Sequence, residues 1–210
     1  MKTKRTQENE IMSLREKKDF SKIIRTMSWL YSPILNELKN IKGDTLCDFA
    51  CGDGYLLELI DKEDLKLSLT GVDIDKDFIK KAKKDLPFKF KNQDAFKIKE
   101  KFDIVTLNLA LHHFNKPIKL IQYILSKTNK VLIISDQIRP ETEKELKHRL
   151  RKRKEMIGKN EVRYYDENEE DSILEAYSKK EILEVFRNFK CELKFIDEDY
   201  YERFVCIMKR

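Results

Sequence analysis

Glycine is scarce in this chain, with five in 210 residues, and so are the features that mark a membrane span, a secretion route or a structural metal. No apolar run approaches the ~18 residues that a span needs. The amino-terminal MKTKRTQENEIM is basic without an apolar core behind it, so it does not read as a signal peptide, and a cytoplasmic location with no membrane partner is expected. The four cysteines, Cys47, Cys51, Cys191 and Cys206, form no CxxC pair and have no histidine cluster beside them. Free buried thiols are therefore expected, and no metal. Internal repeats are absent, and residues 1–10 carry almost no apolar side chains, as a mobile end would.

What the chain does have is charge and short apolar runs. Hydrophobic residues make up 40 % and charged residues 39 %, the pattern of a soluble protein with a real core and a highly charged surface. At this length about 70 % of the unfolded surface is buried on folding. The net charge of +6 is a modest surplus of 44 basic over 38 acidic residues, which permits a nucleic-acid partner without arguing for one.

From Thr45 onward strand-like and helical runs alternate: TLCDF, YLLELI, LSLTGV, KDFIKKAKK, FKF, FDIVTLNL, PIKLIQYIL and KVLIISD. Such alternation predicts an α/β fold, a mostly parallel sheet with helices on both faces and every strand's C-terminal end on one edge. After Asp136 the pattern breaks into a charged insertion over about 137–177, followed by the helix KKEILEVFRNF. The runs CELKFID and RFVCIMK, separated by EDYYE, read as an antiparallel C-terminal hairpin. Before the sheet, residues 10–40 show helical spacing of Ile23, Ile24, Met27, Leu30, Ile34, Leu35 and Leu38, with Pro33 as an expected break.

In an open α/β sheet the ligand crevice lies beyond the strands' carboxyl ends. Three early ends carry an acid: Asp48 closes the first strand, Asp73 the second, and Asp94 follows the third. Gly52 and Gly54, in DFACGDG, let a ligand lie against the loop that leaves the first strand. A dinucleotide fingerprint would need a third glycine where Leu57 stands, and Asp53 would repel a pyrophosphate from within the turn. The acids favour instead a ligand with hydroxyls, an amine and a positive centre.

With these motifs the chain resembles the class I S-adenosylmethionine-dependent methyltransferases. DFACGDG is similar to their glycine-rich first motif, GVDID to the acidic end of their second strand, NQDAF to their adenine-contact segment and FDIVTLNLALHHF to their fourth-strand motif. The resemblance runs from about Asp44 to Asp136 and implies a seven-stranded sheet and S-adenosyl-L-methionine as cofactor. It implies that Asp73 accepts from the ribose hydroxyls and Asp94 faces the adenine amine, with Ile74, Ala95 and Phe96 beside the ring. Asp48, Ala50, Gly52, Gly54 and the main chain at Asn108 would hold the methionine end. Ala50 departs from the family pattern, which has a glycine there, and slight crowding is expected. Asp75 reads as a helix cap.

His112 and His113 follow the fourth strand near the expected methyl-transfer position, where a near-neutral imidazole suits a general base, although one of the two is expected only to pack or hydrogen-bond. The strand ends in NLAL and not in the proline-rich tetrapeptide used to hold planar nitrogens, which argues against nucleobase and glutamine N-methylation. In the resembled fold the acceptor is chosen by the N-terminal helices and by the insertion after the fifth strand. Residues 1–42 are accordingly expected to form a helical lid on a methyltransferase domain over 43–210, and Arg25, Trp29, Tyr164 and Tyr165 are the candidate substrate residues. Within the insertion, the basic Lys147–Lys154 and the acidic Asp166–Asp171 read as mutually neutralising blocks of a solvated cap. The expected activity is methyl transfer to an oxygen, nitrogen or carbon of a small-molecule acceptor. The alternatives are an RNA-modifying enzyme, with the Lys147 block on phosphate, and a non-catalytic cofactor-binding module closed over Asn108 and His112.

Overall fold

The computed structural model describes residues 25, 27–156, 173–198 and 201–210. Seven strands run as β1 Thr45–Phe49, β2 Ser68–Asp73, β3 Lys89–Asn92, β4 Phe102–Asn108, β5 Thr128–Gln137, β6 Glu192–Glu198 and β7 Tyr201–Lys209. They form one sheet in the order β3-β2-β1-β4-β5-β7-β6. The pairs up to β4–β5 are parallel, and β7 inserts antiparallel between β5 and β6. The fold is thus the expected seven-stranded α/β sheet with a C-terminal antiparallel hairpin. From β1 the chain first winds outward to β3, then returns across β1 to start β4, so the strand order reverses between β1 and β4. Their carboxyl ends open a crevice at that switch point.

The α-helices described over their full length are α1 Ser32–Leu38, α2 Tyr55–Lys62, α3 Lys76–Asp85, α4 Pro117–Ser126, α5 Glu143–Met156 and α6 Lys179–Phe186. Alternating strand residues divide the core into two layers. On one face Leu46, Ile104, Ile133 and Val205 belong to the same cluster as Leu57 and Ile60 of α2 and Ile34 and Leu38 of α1. On the other, Phe49, Val105, Leu132 and Phe204 join Leu120 and Ile124 of α4 and Ile182 and Phe186 of α6.

Local chemistry sets the helix starts. Asp75 accepts from the N–H groups of Asp77 and Phe78 at the head of α3, the cap its position predicts. Ser178 and Glu181 form a reciprocal capping box on α6. Pro33 does not break a helix but sits in the first turn of α1, directly after a 3-10 turn at Ser28–Tyr31. There its missing N–H has no intrahelical partner to lose. The hairpin strands also run further into EDYYE than expected, with Glu198 opposite Tyr201.

The insertion after β5 is tied at both ends, since Ile138 bridges Tyr177 and the Arg139 N–H donates to the Tyr177 carbonyl at 3.0 Å. Its basic run forms α5, and the solvated-cap expectation holds for only part of it. Lys147 is exposed and pairs with Glu143, whereas Arg149 and Arg153, one turn apart, are buried. Arg149 donates to Glu145, Glu202 and the Ile138 carbonyl. The acidic block Asp166–Asp171, Tyr164, Tyr165 and residues 1–24 lie outside the described residues.

Candidate active site

The loop that leaves β1 is held in shape by β2. Asp73, at the end of β2, accepts from the Gly52 N–H at 2.8 Å through one oxygen and from the Asp75 N–H at 2.8 Å through the other. The Cys51 N–H donates to the Val72 carbonyl at 3.1 Å. Gly54 must be glycine twice over: its φ is +83°, and a Cβ there would strike the Phe90 ring at 2.8 Å. A Cβ on Gly52, at φ +54°, would meet nothing within 4 Å, so this stretch of backbone faces open space. Ala50 and Leu109 also hold positive φ, +56° and +53°. Such conformations cost a non-glycine residue about 1–3 kcal/mol and gather where a site needs them.

Below the loop is a pocket of about 530 Å³, mouth included, bordered by Tyr31, Asp48, Ala50, Gly52, Phe78 and Asn108 among others. Asp48 is buried, accepts from the Thr106 hydroxyl at 2.7 Å, and has no cationic partner among the described residues. Burial pushes its carboxyl up to about 7, against the Thr106 hydrogen bond and with help from the Asp73 charge. Asp73 is likewise raised, chiefly by burial. Asp53, by contrast, is paired with Arg25 at 3.1 Å and Lys81 at 2.9 Å, so the expected repulsion of a pyrophosphate by that residue is largely neutralised. Neither Asp48 nor Asp73 has a cationic side chain paired with it among the described residues.

From Asp48 a polar row continues across the sheet on the same face. Asn108 ends β4, Ser135 lies opposite it on β5, and Arg203 comes from β7. One Arg203 nitrogen, Nη2, donates to Asn108 Oδ1 and to Ser135 Oγ, each at 2.8 Å. The buried Tyr31 hydroxyl lies within electrostatic range of both ends of this row, Asp48 and Arg203; burial raises its pKa, with Asp53 and Asp48 adding to the effect.

His112 follows β4 in a 3-10 turn, Leu111–His113. Its Nδ1 is 2.8 Å from both oxygens of Asp136, which also accepts the His112 backbone N–H at 2.9 Å. Burial works to raise the Asp136 pKa, and His112 holds it below the ordinary value. In the tautomer that donates from Nδ1 to Asp136, Nε2 carries the lone pair, and it is a buried atom without a hydrogen-bond partner among the described residues. His113 is half-exposed, 3.7 Å from Glu175, and its pKa is lowered first by His112 and then by burial. The two histidines thus divide: His112 has the geometry of a base with an orienting carboxylate, and His113 stands outside it.

Of the residues singled out in the sequence, Asp48, Ala50, Gly52 and Asn108 border the pocket. Asp73 and Gly54 shape it from behind the loop. Ile74 is 75 % exposed beside Asp73. Asp94 is half-buried and caps the turn Ala95–Lys97 through the Phe96 N–H at 2.9 Å. Arg25 stacks on Tyr55 at 4.5 Å and pairs with Asp53 and Glu58, which sets it beside the glycine loop. Trp29 stacks on Tyr201 at 4.7 Å, toward β7. Sequence reasoning missed Asp136 and Arg203. The same strand-end rule that picked Asp73 would have picked Asp136. A lone arginine alternating with Val205 and Ile207 in an apolar strand was the signal for Arg203.

The sequence model of a family described as "Methyltransferase domain" matches residues 40–190. Comparison with curated proteins finds no match. Among solved structures, the plantazolicin methyltransferase BpumL, in complex with a triazolic desmethylPZN analog and SAH, superposes with a TM-score of 0.67 at 15 % identity, covering 94 % of this chain and 92 % of that one. Magnesium protoporphyrin IX methyltransferase from Synechocystis PCC 6803, with bound SAM, gives 0.59 at 16 % identity over 96 % and 86 %. A SAM-dependent methyltransferase from Aquifex aeolicus gives 0.57 at 17 % over 85 % and 88 %. At these identities the likeness is one of fold. The chain belongs to the methyltransferase-domain family and has the class I fold of the S-adenosylmethionine-dependent enzymes.

Proposed function

We propose that the protein transfers a methyl group from S-adenosylmethionine to an oxygen, nitrogen or carbon nucleophile of a small-molecule acceptor. The observation that carries this reading is a pair of carboxylates without cationic partners among the described residues, buried Asp48 bordering a close-fitting pocket and half-buried Asp73 behind the open glycine backbone beside it. The cofactor, when bound, supplies an electrophilic methyl group on a positive sulfur. Asp48 complements positive charge on the pocket floor, and each Asp73 oxygen keeps a lone pair for a ribose hydroxyl beyond its backbone bond. Ile74, exposed beside Asp73, and Asp94 at the next strand end offer an apolar surface and an acceptor for the adenine.

On the acceptor side, Asp136 fixes the His112 ring so that Nε2 takes a proton from the nucleophile. Holding the partners at contact supplies up to ~7–11 kcal/mol of barrier lowering without a covalent enzyme intermediate. Arg25 and residues 27–42 act as a lid: Tyr31 closes one wall of the pocket and Arg25 pins the glycine loop. Three residues of the basic run in α5 pair with protein carboxylates, Lys147 with Glu143, Arg149 with Glu145 and Glu202, and Lys152 with Glu155, which favours a small acceptor over RNA. Incubation with methyl-labelled cofactor and cell extract, followed by separation of RNA, protein and small molecules, is expected to place the label in the small-molecule fraction. Label in RNA alone would overturn the acceptor class. Calorimetry with no response to S-adenosylmethionine or its demethylated product would overturn the activity.

A further inference from the structure

Among the described residues, four buried side-chain nitrogens have no hydrogen-bond partner: Asn108 Nδ2, His112 Nε2, and Nε and Nη1 of Arg203. They belong to three side chains at one edge of the sheet, and Asn108 and Arg203 are joined at 2.8 Å. An orphaned buried donor costs about 1–3 kcal/mol, and a buried cation without a bonded carboxylate costs more. Arg203 is fully buried, and Asp136 supplies its main attractive charge, yet Asp136 is hydrogen-bonded to His112 and the Gln137 N–H and not to Arg203. Burial lowers the guanidinium only to about 10, so it remains a cation at neutral pH. Three N–H donors on Nε and Nη1 are thus held ready with no protein acceptor.

The charges of the site are also ordered. Carboxylates without a cation among the described residues, Asp48 and Asp73, stand at β1 and β2, and the arginine stands on β7, three strands away from β1 and four from β2, beyond Asn108 and Ser135. A cationic methyl donor belongs at the first end and an anion at the second. We propose that Arg203 binds a carboxylate of the methyl acceptor, so that the substrates of this site are small organic acids. This deepens the methyltransferase reading and rests on it. Arg203 is flanked on its face of β7 by Tyr201 and Val205, which share a cluster with Met27, Leu30 and Tyr31. The acceptor therefore reaches Arg203 by lifting the Ser28–Tyr31 turn, a 3-10 turn without a side-chain cap. A carboxylate could also come from the cofactor's own methionine end, and the test separates the two sources.

The protein saturated with S-adenosylhomocysteine is titrated with benzoate and, as the neutral isostere, benzamide, followed by calorimetry and by the fluorescence of Trp29, the single tryptophan, which stacks on Tyr201. Benzoate is expected to bind and to change the Trp29 signal, and benzamide to do neither. Arg203→Met should weaken benzoate at least about tenfold while affinity for S-adenosylhomocysteine stays within about twofold. A loss of S-adenosylhomocysteine affinity with no benzoate binding assigns the carboxylate to the cofactor and overturns the proposal, as does a wild-type protein that ignores benzoate. If Arg203→Met does not fold, Arg203→Lys carries the same comparison: benzoate weakened with S-adenosylhomocysteine kept supports the proposal, and both unchanged overturns it. Failure of wild type to bind S-adenosylhomocysteine at all sinks the underlying methyltransferase reading, a different result from losing benzoate alone.

Discussion

The two halves of the crevice are built on opposite plans. On the β1–β2 side the polar groups are tied into the protein: both Asp73 oxygens accept backbone N–H groups, and Asp53 is held by two cations. On the β4–β5–β7 side the opposite holds, and every buried side-chain nitrogen left without a partner among the described residues is found there. The first half is a preorganised cradle whose shape exists before a ligand arrives, which suits a donor common to a whole family. The second half carries unspent donors and a buried cation at a cost in stability. Such a cost is retained where a particular ligand settles it.

The sharpest way to break this contrast is through the orphaned imidazole. His112→Ala should lower turnover by about 10²–10⁴-fold on the acceptor that label transfer identifies, the usual contribution of a positioned base. Cofactor affinity should hardly move, because the ring belongs to the acceptor half. Asp136→Asn should follow in the same direction, since it disturbs the tautomer of an intact ring. Turnover unchanged in both variants would make the pair a structural contact and leave proximity as the mechanism.

Next in size comes Asp73→Ala, which strikes the cradle. It removes acceptors for the Gly52 and Asp75 N–H groups as well as for the proposed ribose contacts, and hydrogen bonds to a charged group contribute about 1.5–3 kcal/mol each. Cofactor affinity should fall from about tenfold to several hundredfold with the sheet still folded, read by calorimetry and circular dichroism. Full affinity in a folded Asp73→Ala protein would mean that the strand-end acids do not make the donor site.

Asp48 gives a smaller effect with a defined sign. Its carboxyl is raised from 3.8 to about 7, so the folded protein without ligand prefers it protonated, whereas a cationic donor prefers it ionised. Donor affinity should therefore rise with pH up to about 7, by at most about tenfold per unit, and level off above. Stability of the protein without ligand runs the other way. Between the ordinary carboxylate range and about 7 the folded state holds a proton that the unfolded chain has released, so stability falls as pH rises through that window. Asp48→Asn should flatten both curves, raising the melting temperature at pH 8 and weakening the donor there. A pH-independent wild-type affinity would show that Asp48 does not face the positive charge.

How much of this was legible in the sequence follows the same division. The cradle lies within one strand–helix–strand unit, from Asp48 to Asp73, where turn glycines and strand-end acids appear as local pattern and can be picked out by eye. Its electrostatics were not fully readable, because Asp53 is neutralised by Arg25 and Lys81 from outside that motif. The other half is gathered from Tyr31, Asn108, His112, Asp136 and Arg203; Asn108 and His112 stood out in the fourth-strand motif, whereas Tyr31, Asp136 and Arg203 come from separate elements that no local motif links. Arg203 reaches the row only because β7 inserts antiparallel beside β5 and sets it opposite Gln137. The basic run in α5 misled for a related reason. Helical periodicity shows which side chains share a face, but the carboxylate that turns Arg149 inward, Glu202, comes from β7.

The smallest expected effect is the control that tests the register of β2. Asp75 stands two residues beyond Asp73, carries the same carboxylate and ends the same GVDID motif, yet its Oδ1 accepts from the Asp77 and Phe78 N–H groups at 2.9 and 3.1 Å. It is spent on the head of α3, so Asp75→Ala should cost ~1 kcal/mol of stability, the usual worth of a helix cap. Donor affinity should change by no more than about threefold, because ~0.7 kcal/mol is the most that a slight loosening of Phe78, which borders the pocket, should transmit. Thermal melting and calorimetry on the two single variants make the comparison direct. If Asp75→Ala loses the donor and Asp73→Ala only loses stability, the two carboxylates have exchanged roles, and the cradle is built on the wrong one of a pair that sequence alone presents as near-equivalent.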